Sequence, residues 1–269
     1  MTTPWQRYQT DLQREDFSHD AAQEQAVLLL QDLYERLVAA HHGYGSDLKV
    51  WVHKLRRREV EPQVGLYFWG GVGRGKTYLM DTFFECLPFS RKSRVHFHRF
   101  MQRVHKELAT LEGEKNPLEL VADKLAKEAR ILCFDEFFVT DIGDAMILGG
   151  LMKALFTRGV TLVATSNIEP QKLYENGLQR QRFLPVIDLI EKYTHVLNVD
   201  AGVDYRLRTL QQATLYHFPL NEEADRSLED SFSRLAGGPG KHWERLVINN
   251  RYLTCRCVAN GVAWFDFAE

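Results

Sequence analysis

A chain of 269 residues can bury a sizeable core, either as one large domain or as a medium domain with an appendage. Apolar residues make up 45%, charged residues 26%, and the formal net charge is −2, so bulk charge gives no support for nucleic-acid binding. The polar stretch from Met1 to Asp16 lacks the apolar run of a secretory signal, and no segment approaches the ~20 apolar residues of a spanning helix. These features predict a cytoplasmic protein without a transmembrane segment.

In chain order, Ala22, Ala26, Leu29, Leu30, Leu33 and Leu37 recur at helical spacing behind Asp20, which predicts an N-capped helix ending near His42–Gly43. The basic run Lys54–Arg58 leads through Pro62 to a strand over Val64–Trp69. A Gly-rich loop and a helix over Lys76–Leu87 follow, stopped by Pro88. The pattern then alternates: strand Arg94–His98, helix Phe100–Leu111, strand Arg130–Phe134, helix Asp141–Phe156 and strand Val160–Thr165. A helical stretch over Leu178–Tyr193 and a fifth strand, His195–Val199, complete it. Short apolar strands alternating with helices predict an α/β fold with a parallel sheet covered on both faces.

Beyond Asp200 the pattern changes to a helix over Glu222–Leu235, ended by Gly237–Gly238–Pro239–Gly240. Strands over Arg245–Val258 and Val262–Phe267 flank Asn260–Gly261, a favoured hairpin pair. The expected organisation is an N-terminal helical segment over 1–62, a core over 63–200 and a smaller α+β region over 201–269. Cys86, Cys133, Cys255 and Cys257 lack zinc or redox spacing and are read as small buried thiols.

Gly70–Gly71–Val72–Gly73–Arg74–Gly75–Lys76–Thr77 fits GxxxxGK[ST] in full, with a strand before it and a helix after it. Glycines let backbone N–H groups wrap a polyphosphate, and the helix N-terminus adds positive potential. Lys76 is expected to reach the β- and γ-phosphates of ATP and the Thr77 hydroxyl to ligate Mg²⁺; Tyr78, next in line, joins the expected binding set. Ile131–Leu132–Cys133–Phe134 runs into Asp135–Glu136. Asp135 is the candidate metal carboxylate and Glu136 the candidate base for the attacking water.

Asn167, at the end of the fourth strand in Thr165–Ser166–Asn167, is read as positioning that water; the alternative is a cap on the next element. Arg180 and Arg182 lie two apart on the expected helix, and either an arginine finger or a solvated face suits them. Neither an Asn-Lys-x-Asp guanine reader nor a Leu-Ser-Gly-Gly-Gln signature occurs, which weakens GTPase and transporter readings. The basic residues Lys54–Arg58, Arg91, Lys92, Arg94 and Arg99 could form a nucleic-acid or acidic-membrane footprint, but solvated charge is the favoured reading. Val95 and Phe97 alternating with His96 and His98 are read as a half-buried strand.

The runs GLYFWGGVGRGKTYLMD, HFHRFMQRVHKEL, LCFDEFFVTDIGDAMILGGLMKAL, LVATSNI, NGLQRQRFLP and NVDAGVDYRLR together resemble the ZapE-type cell-division ATPases, AAA+ relatives of a mitochondrial inner-membrane ATPase. The resemblance implies an AAA+ core in which the Asn167 strand separates the Asp135 strand from the P-loop strand. It makes Asn167 a sensor, Arg180 or Arg182 a finger acting on a neighbour's ATP, and the active form a homo-oligomeric ring. It also implies that Asp20 and Gln23 contact the adenine side and that Arg206 is a nucleotide, interdomain or salt-bridging residue. The implied function is ATP-dependent remodelling of the division-ring protein FtsZ, with recruitment to the division site or the inner-membrane face. A nucleotide-gated adaptor or loader-like DNA-binding ATPase is the alternative. Family members carry a further segment after the equivalent of Phe267, so a shortened C-terminal region is expected.

Overall fold

The computed structural model describes residues 2–14, 17, 19–43, 61–73, 75–200, 221–236, 240–248, 251–259 and 262–266. Two compact units divide the chain, Met1–Tyr205 and Arg206–Glu269.

The first unit is built on β1 (Gly65–Trp69), β2 (Lys92–His96), β3 (Ile131–Asp135), β4 (Thr161–Ser166) and β5 (Thr194–Asn198), in the order β2-β3-β4-β1-β5. Every pairing is parallel. The strand carrying Asn167 at its end therefore lies between the P-loop strand and the Asp135 strand. Side chains alternate across the sheet. Leu66, Phe68, Ile131, Cys133 and Val163 pack under α1 (Pro4–Asp11), α2 (Ala21–Gly43) and α3 (Lys76–Cys86). Tyr67, Leu132, Phe134, Leu162 and Ala164 pack under α4 (Phe97–Thr110), α5 (Pro117–Glu128), α6 (Ile142–Thr157) and α7 (Leu184–Tyr193). Burial on both faces is why β1, β3 and the Leu162–Ala164 stretch of β4 are almost wholly apolar, whereas the edge strands β2 and β5 carry polar residues and are more exposed.

Asp20 caps α2 as expected, with its Oδ1 accepting from the N–H groups of Ala22 (2.7 Å) and Gln23 (3.4 Å). Helix α1 escaped the sequence reading although Thr3 and Gln6 form a reciprocal capping box around Pro4 at the first turn. Helix α5, also missed, again starts on a proline, Pro117.

Two element boundaries in this unit are corrected. The expected strand over Arg94–His98 ends at His96, and Phe97 opens α4, because Phe97, Phe100, Met101 and Val104 follow helical rather than strand period. The expected helix over Leu178–Tyr193 begins only at Leu184. Arg180–Arg182 form a single 3₁₀ turn after Gln179 at φ 57°, and Pro185 suits the first turn of α7, where no N–H is required.

In the second unit, α8 (Glu222–Ala236) buries Ala224, Phe232 and Ala236. The single strand expected over Arg245–Val258 is instead broken. β7 (Arg245–Ile248) and β8 (Arg251–Thr254) pair antiparallel with each other, Val247 opposite Tyr252. β9 (Cys257–Ala259) pairs with β10 (Val262–Trp264) and with β6 (Lys241–His242). Ala259 faces Val262, the pairing that a two-residue loop at 260–261 requires. The Asn260–Gly261 turn itself, the helix stop at 237–239, the basic run at 54–58 and Arg206 lie outside the described residues.

Candidate nucleotide site

Strand β1 delivers the chain to Gly70, and α3 starts at Lys76, so a glycine-rich turn links a buried strand to a helix N-terminus. Gly75 sits at φ 77°, and a Cβ there would lie 2.2 Å from Gln23 Nε2. Gly70 sits at φ 148° with the Asp200 backbone N 3.2 Å from where its Cβ would be. Both torsions favour glycine; the crowding at Gly70 involves backbone, whereas at Gly75 it comes from the far end of the Gln23 side chain. The Lys76 ammonium donates to the carbonyls of Gly70 (2.7 Å) and Gly71 (2.6 Å) and so lies across the loop. Val72 and Thr77 are exposed, and Arg74 lies outside the described residues. The Tyr78 hydroxyl donates to Asp11 Oδ2 at 2.8 Å, and burial pushes its pKa up.

Asp135 closes β3 with a carboxylate mostly withdrawn from solvent; Glu136, next to it, is 81% exposed. Glu136 adopts φ 55°, a conformation that non-glycine residues rarely take, and it turns the chain away from the strand. Neighbouring β4 clips this turn in place. Phe137 N–H donates to Thr165 O (2.7 Å), Glu136 N–H to Thr165 Oγ1 (3.3 Å), and Ser166 Oγ to Phe137 O (2.8 Å). Ser166 Oγ also accepts from Ile168 N–H at 3.2 Å, so the turn after β4 is served by Ser166. The Asn167 side chain is exposed and makes no hydrogen bond among the described residues. Strand order thus brings Lys76, Asn167, Asp135 and Glu136 to the carboxyl ends of three adjacent strands, where ligands of open α/β sheets sit.

Arg94 was read as surface charge, and its surroundings correct that. Its Nε donates to Asp135 Oδ2 (2.7 Å), its second amino group to Asp135 Oδ1 (3.3 Å), and its first to Asp81 of α3.

The donor set suits a hard cation. The Thr77 hydroxyl and the Asp135 carboxylate supply oxygen, the ligand type of Mg²⁺. Among the described residues no group of three His, Cys, Asp or Glu could hold a metal unaided. A cation here would therefore draw its remaining ligands from phosphate oxygens and water, the usual Mg²⁺ arrangement.

Gln23 is buried against the loop, and its Oε1 has no hydrogen-bond partner among the described residues. Arg180 donates to the Gln171 carbonyl, whereas the Arg182 side chain is exposed with no hydrogen bond or ion pair among the described residues. Two residues beside the loop escaped the sequence reading. Asp200 Oδ2 accepts from Gly71 N–H (3.4 Å), and Asn198 Oδ1 accepts from Asp200 N–H (2.9 Å). Their signal was the polar end of β5, which lies beside β1.

The sequence profile of the AFG1-like ATPase family matches residues 2–269. The chain is 52% identical over 264 residues to the cell division protein ZapE of Escherichia coli K12, covering 96% of this chain and 70% of that protein. It is 41% identical over 187 residues to the lactation elevated protein 1 homolog B of Danio rerio, covering 65% of this chain and 37% of that protein. Among solved structures it resembles domain III of the replication initiation protein DnaA from Thermotoga maritima, at 19% identity and a TM-score of 0.44, over 84% of this chain and 75% of the other. No described helix is long and apolar enough to cross a membrane. The chain belongs to the AFG1-like ATPase family and hydrolyses ATP.

Proposed function

We propose that this ATPase is Mg²⁺-dependent and couples turnover to remodelling of a protein partner in cell division, by resemblance the FtsZ ring. The observation that carries the catalytic half is the gathering of Lys76, Asn167 and Asp135–Glu136 at one edge of three neighbouring strands. The loop amides and Lys76 bind the β- and γ-phosphates, which requires Lys76 to exchange its carbonyl partners for phosphate oxygens. Thr77 and Asp135 hold the cation, which supplies charge neutralisation across the phosphates. Asn167 orients the water. Its oxygen bonds to the γ-phosphorus, its proton passes to the Glu136 carboxylate, and the bridging oxygen leaves with ADP. Gln23, whose buried oxygen has no partner among the described residues, contacts the adenine side.

Completion of the site in trans, within a homo-oligomeric ring, follows from the same reading. Arg182 is favoured over Arg180 as the finger, because Arg180 is engaged with its own chain while Arg182 is exposed. The division role rests on the relative's description and on the family resemblance, and the same reading has a cytoplasmic protein recruited to the division site or the inner-membrane face.

The test has two arms. Lys76→Ala should abolish ATP binding, and Glu136→Gln should bind ATP but lose about 10²- to 10⁴-fold in turnover; near-normal hydrolysis by Glu136→Gln would reject the base. Sedimentation of FtsZ polymers with wild type and ATP should show less polymer than with Glu136→Gln. Equal amounts would reject coupling.

A further inference from the structure

Arg94 lies on the edge strand β2, opposite Cys133 of β3. Cα partners in a parallel pair point to the same face, and so do residues two apart, so Arg94, Cys133 and Asp135 all face α3. That register lets one guanidinium reach the acid at the tip of β3 and the helix above it together. On α3, Asp81 stands four residues after Thr77, one turn along the same helix face. Arg94 and Asp135 are 20% and 15% exposed, against 43% for Asp81.

We propose that Arg94 is a positioning residue for Mg²⁺·ATP: tied to Asp81, it holds the Asp135 carboxylate at a set distance and angle from Thr77. The proposal rests on the Mg²⁺ reading of Thr77 and Asp135 above. Geometry supports orientation rather than blockage. The two bonds to Asp135 are side-on, one to each oxygen, and leave a further lone pair on each for a metal-bound water. Charge supports it too. A guanidinium alone on Asp135 would cancel the attraction for a cation. With Asp81 sharing that guanidinium, the trio keeps a net negative charge at the strand end. Lysine would not substitute, since an ammonium is a point charge and cannot span both acids in one plane.

The experiment titrates wild type, Arg94→Met, Arg94→Lys and Asp81→Asn with the non-hydrolysable analogue AMPPNP, once in excess magnesium chloride and once in excess EDTA. The readout is the ratio of the two affinities. Arg94→Met should lose about 10- to 100-fold of the wild-type ratio, the usual cost of removing a residue that orients a metal ligand, with its EDTA affinity kept within about twofold. Arg94→Lys should recover only part. Asp81→Asn should also lower the ratio, and it decides the matter if Arg94→Met fails to fold. An unchanged ratio, or parallel losses in both buffers, would overturn the positioning role. Lys76→Ala separates this from the larger reading: normal AMPPNP binding by Lys76→Ala, or a wild-type ratio near one, would defeat the Mg²⁺·ATP site itself.

Discussion

Gly75→Ala isolates what the loop backbone contributes to nucleotide affinity. The residue sits at φ 77°, where an L side chain costs about 1–2 kcal/mol. If the loop must hold this torsion to aim its amides at phosphate, the strain appears as weaker binding by about 5- to 30-fold. A second effect adds to it. The new methyl would stand 2.2 Å from Gln23 Nε2, so the buried Gln23 amide must move. The amide is the far end of a flexible side chain, so this part is relieved in Gly75→Ala/Gln23→Ala, whereas the torsional part remains. The two substitutions should therefore be non-additive. Calorimetric titration of the four proteins with AMPPNP and magnesium chloride reads both components. Gly75→Ala binding within about twofold of wild type would refute the reasoning, since it would mean that the loop does not need this torsion when loaded.

Mixing Lys76→Ala with Arg182→Ala should restore hydrolysis that neither shows alone, and no recovery on mixing would reject a finger supplied in trans. Arg180→Ala, which removes a bond to the Gln171 carbonyl, should instead show its main effect in thermal stability. Tyr78→Phe removes the hydrogen bond to Asp11 and should cost about 1–2 kcal/mol. It should lower the melting midpoint by roughly 2–4 °C per kcal/mol and leave AMPPNP affinity within about twofold; a large loss of affinity would place the hydroxyl at the nucleotide. The hydrogen bond from Arg158 holds Asp123 below its usual carboxylate range, against a smaller upward push from burial. A depressed folded pKa gives stability present above the unfolded value of about 3.9 and lost as pH falls through the folded one. The gap in melting midpoint between wild type and Asp123→Asn should therefore close on acidification below about pH 4, and a gap constant with pH would refute it.

The parts of the site legible in the sequence are those with local signals. The glycine loop between a buried strand and a helix, the two acids after Ile131–Phe134, and the Asp20 cap each need only neighbours in the chain to be read. Arg94 had no such signal. Its partner Asp135 is 41 residues away, and only the β2–β3 register puts the two on one face. An arginine within a basic stretch reads as solvated charge unless that register is known. Local signals also misled where two periods overlap. Val95–Phe97 alternates as a strand would, yet Phe97 belongs to the helical series that continues through Phe100 and Val104. The 3₁₀ turn at Arg180–Arg182 was absorbed into a helix because Pro185 marks the true start of α7 only once the chain is seen to bend before it.

The polar strand end Thr165–Ser166–Asn167 shows how one short segment divides its work. Glu136 holds a torsion that costs of order 1–3 kcal/mol for a non-glycine residue, and nothing in its own strand compensates. Compensation comes from β4, where Thr165 and Ser166 take up the N–H groups of Glu136 and Phe137 and the Phe137 carbonyl. Ser166 also serves the N–H of Ile168, and the Asn167 side chain, which makes no hydrogen bond among the described residues, stands exposed beside the exposed Glu136 turn. The two buried hydroxyl residues therefore hold the backbone of the turn that carries the acid, and the Asn167 side chain beside them is exposed. A cap and a sensor compete for the same asparagine in the sequence; Ser166 takes the bond to Ile168 N–H, which supports the proposed sensor role of Asn167.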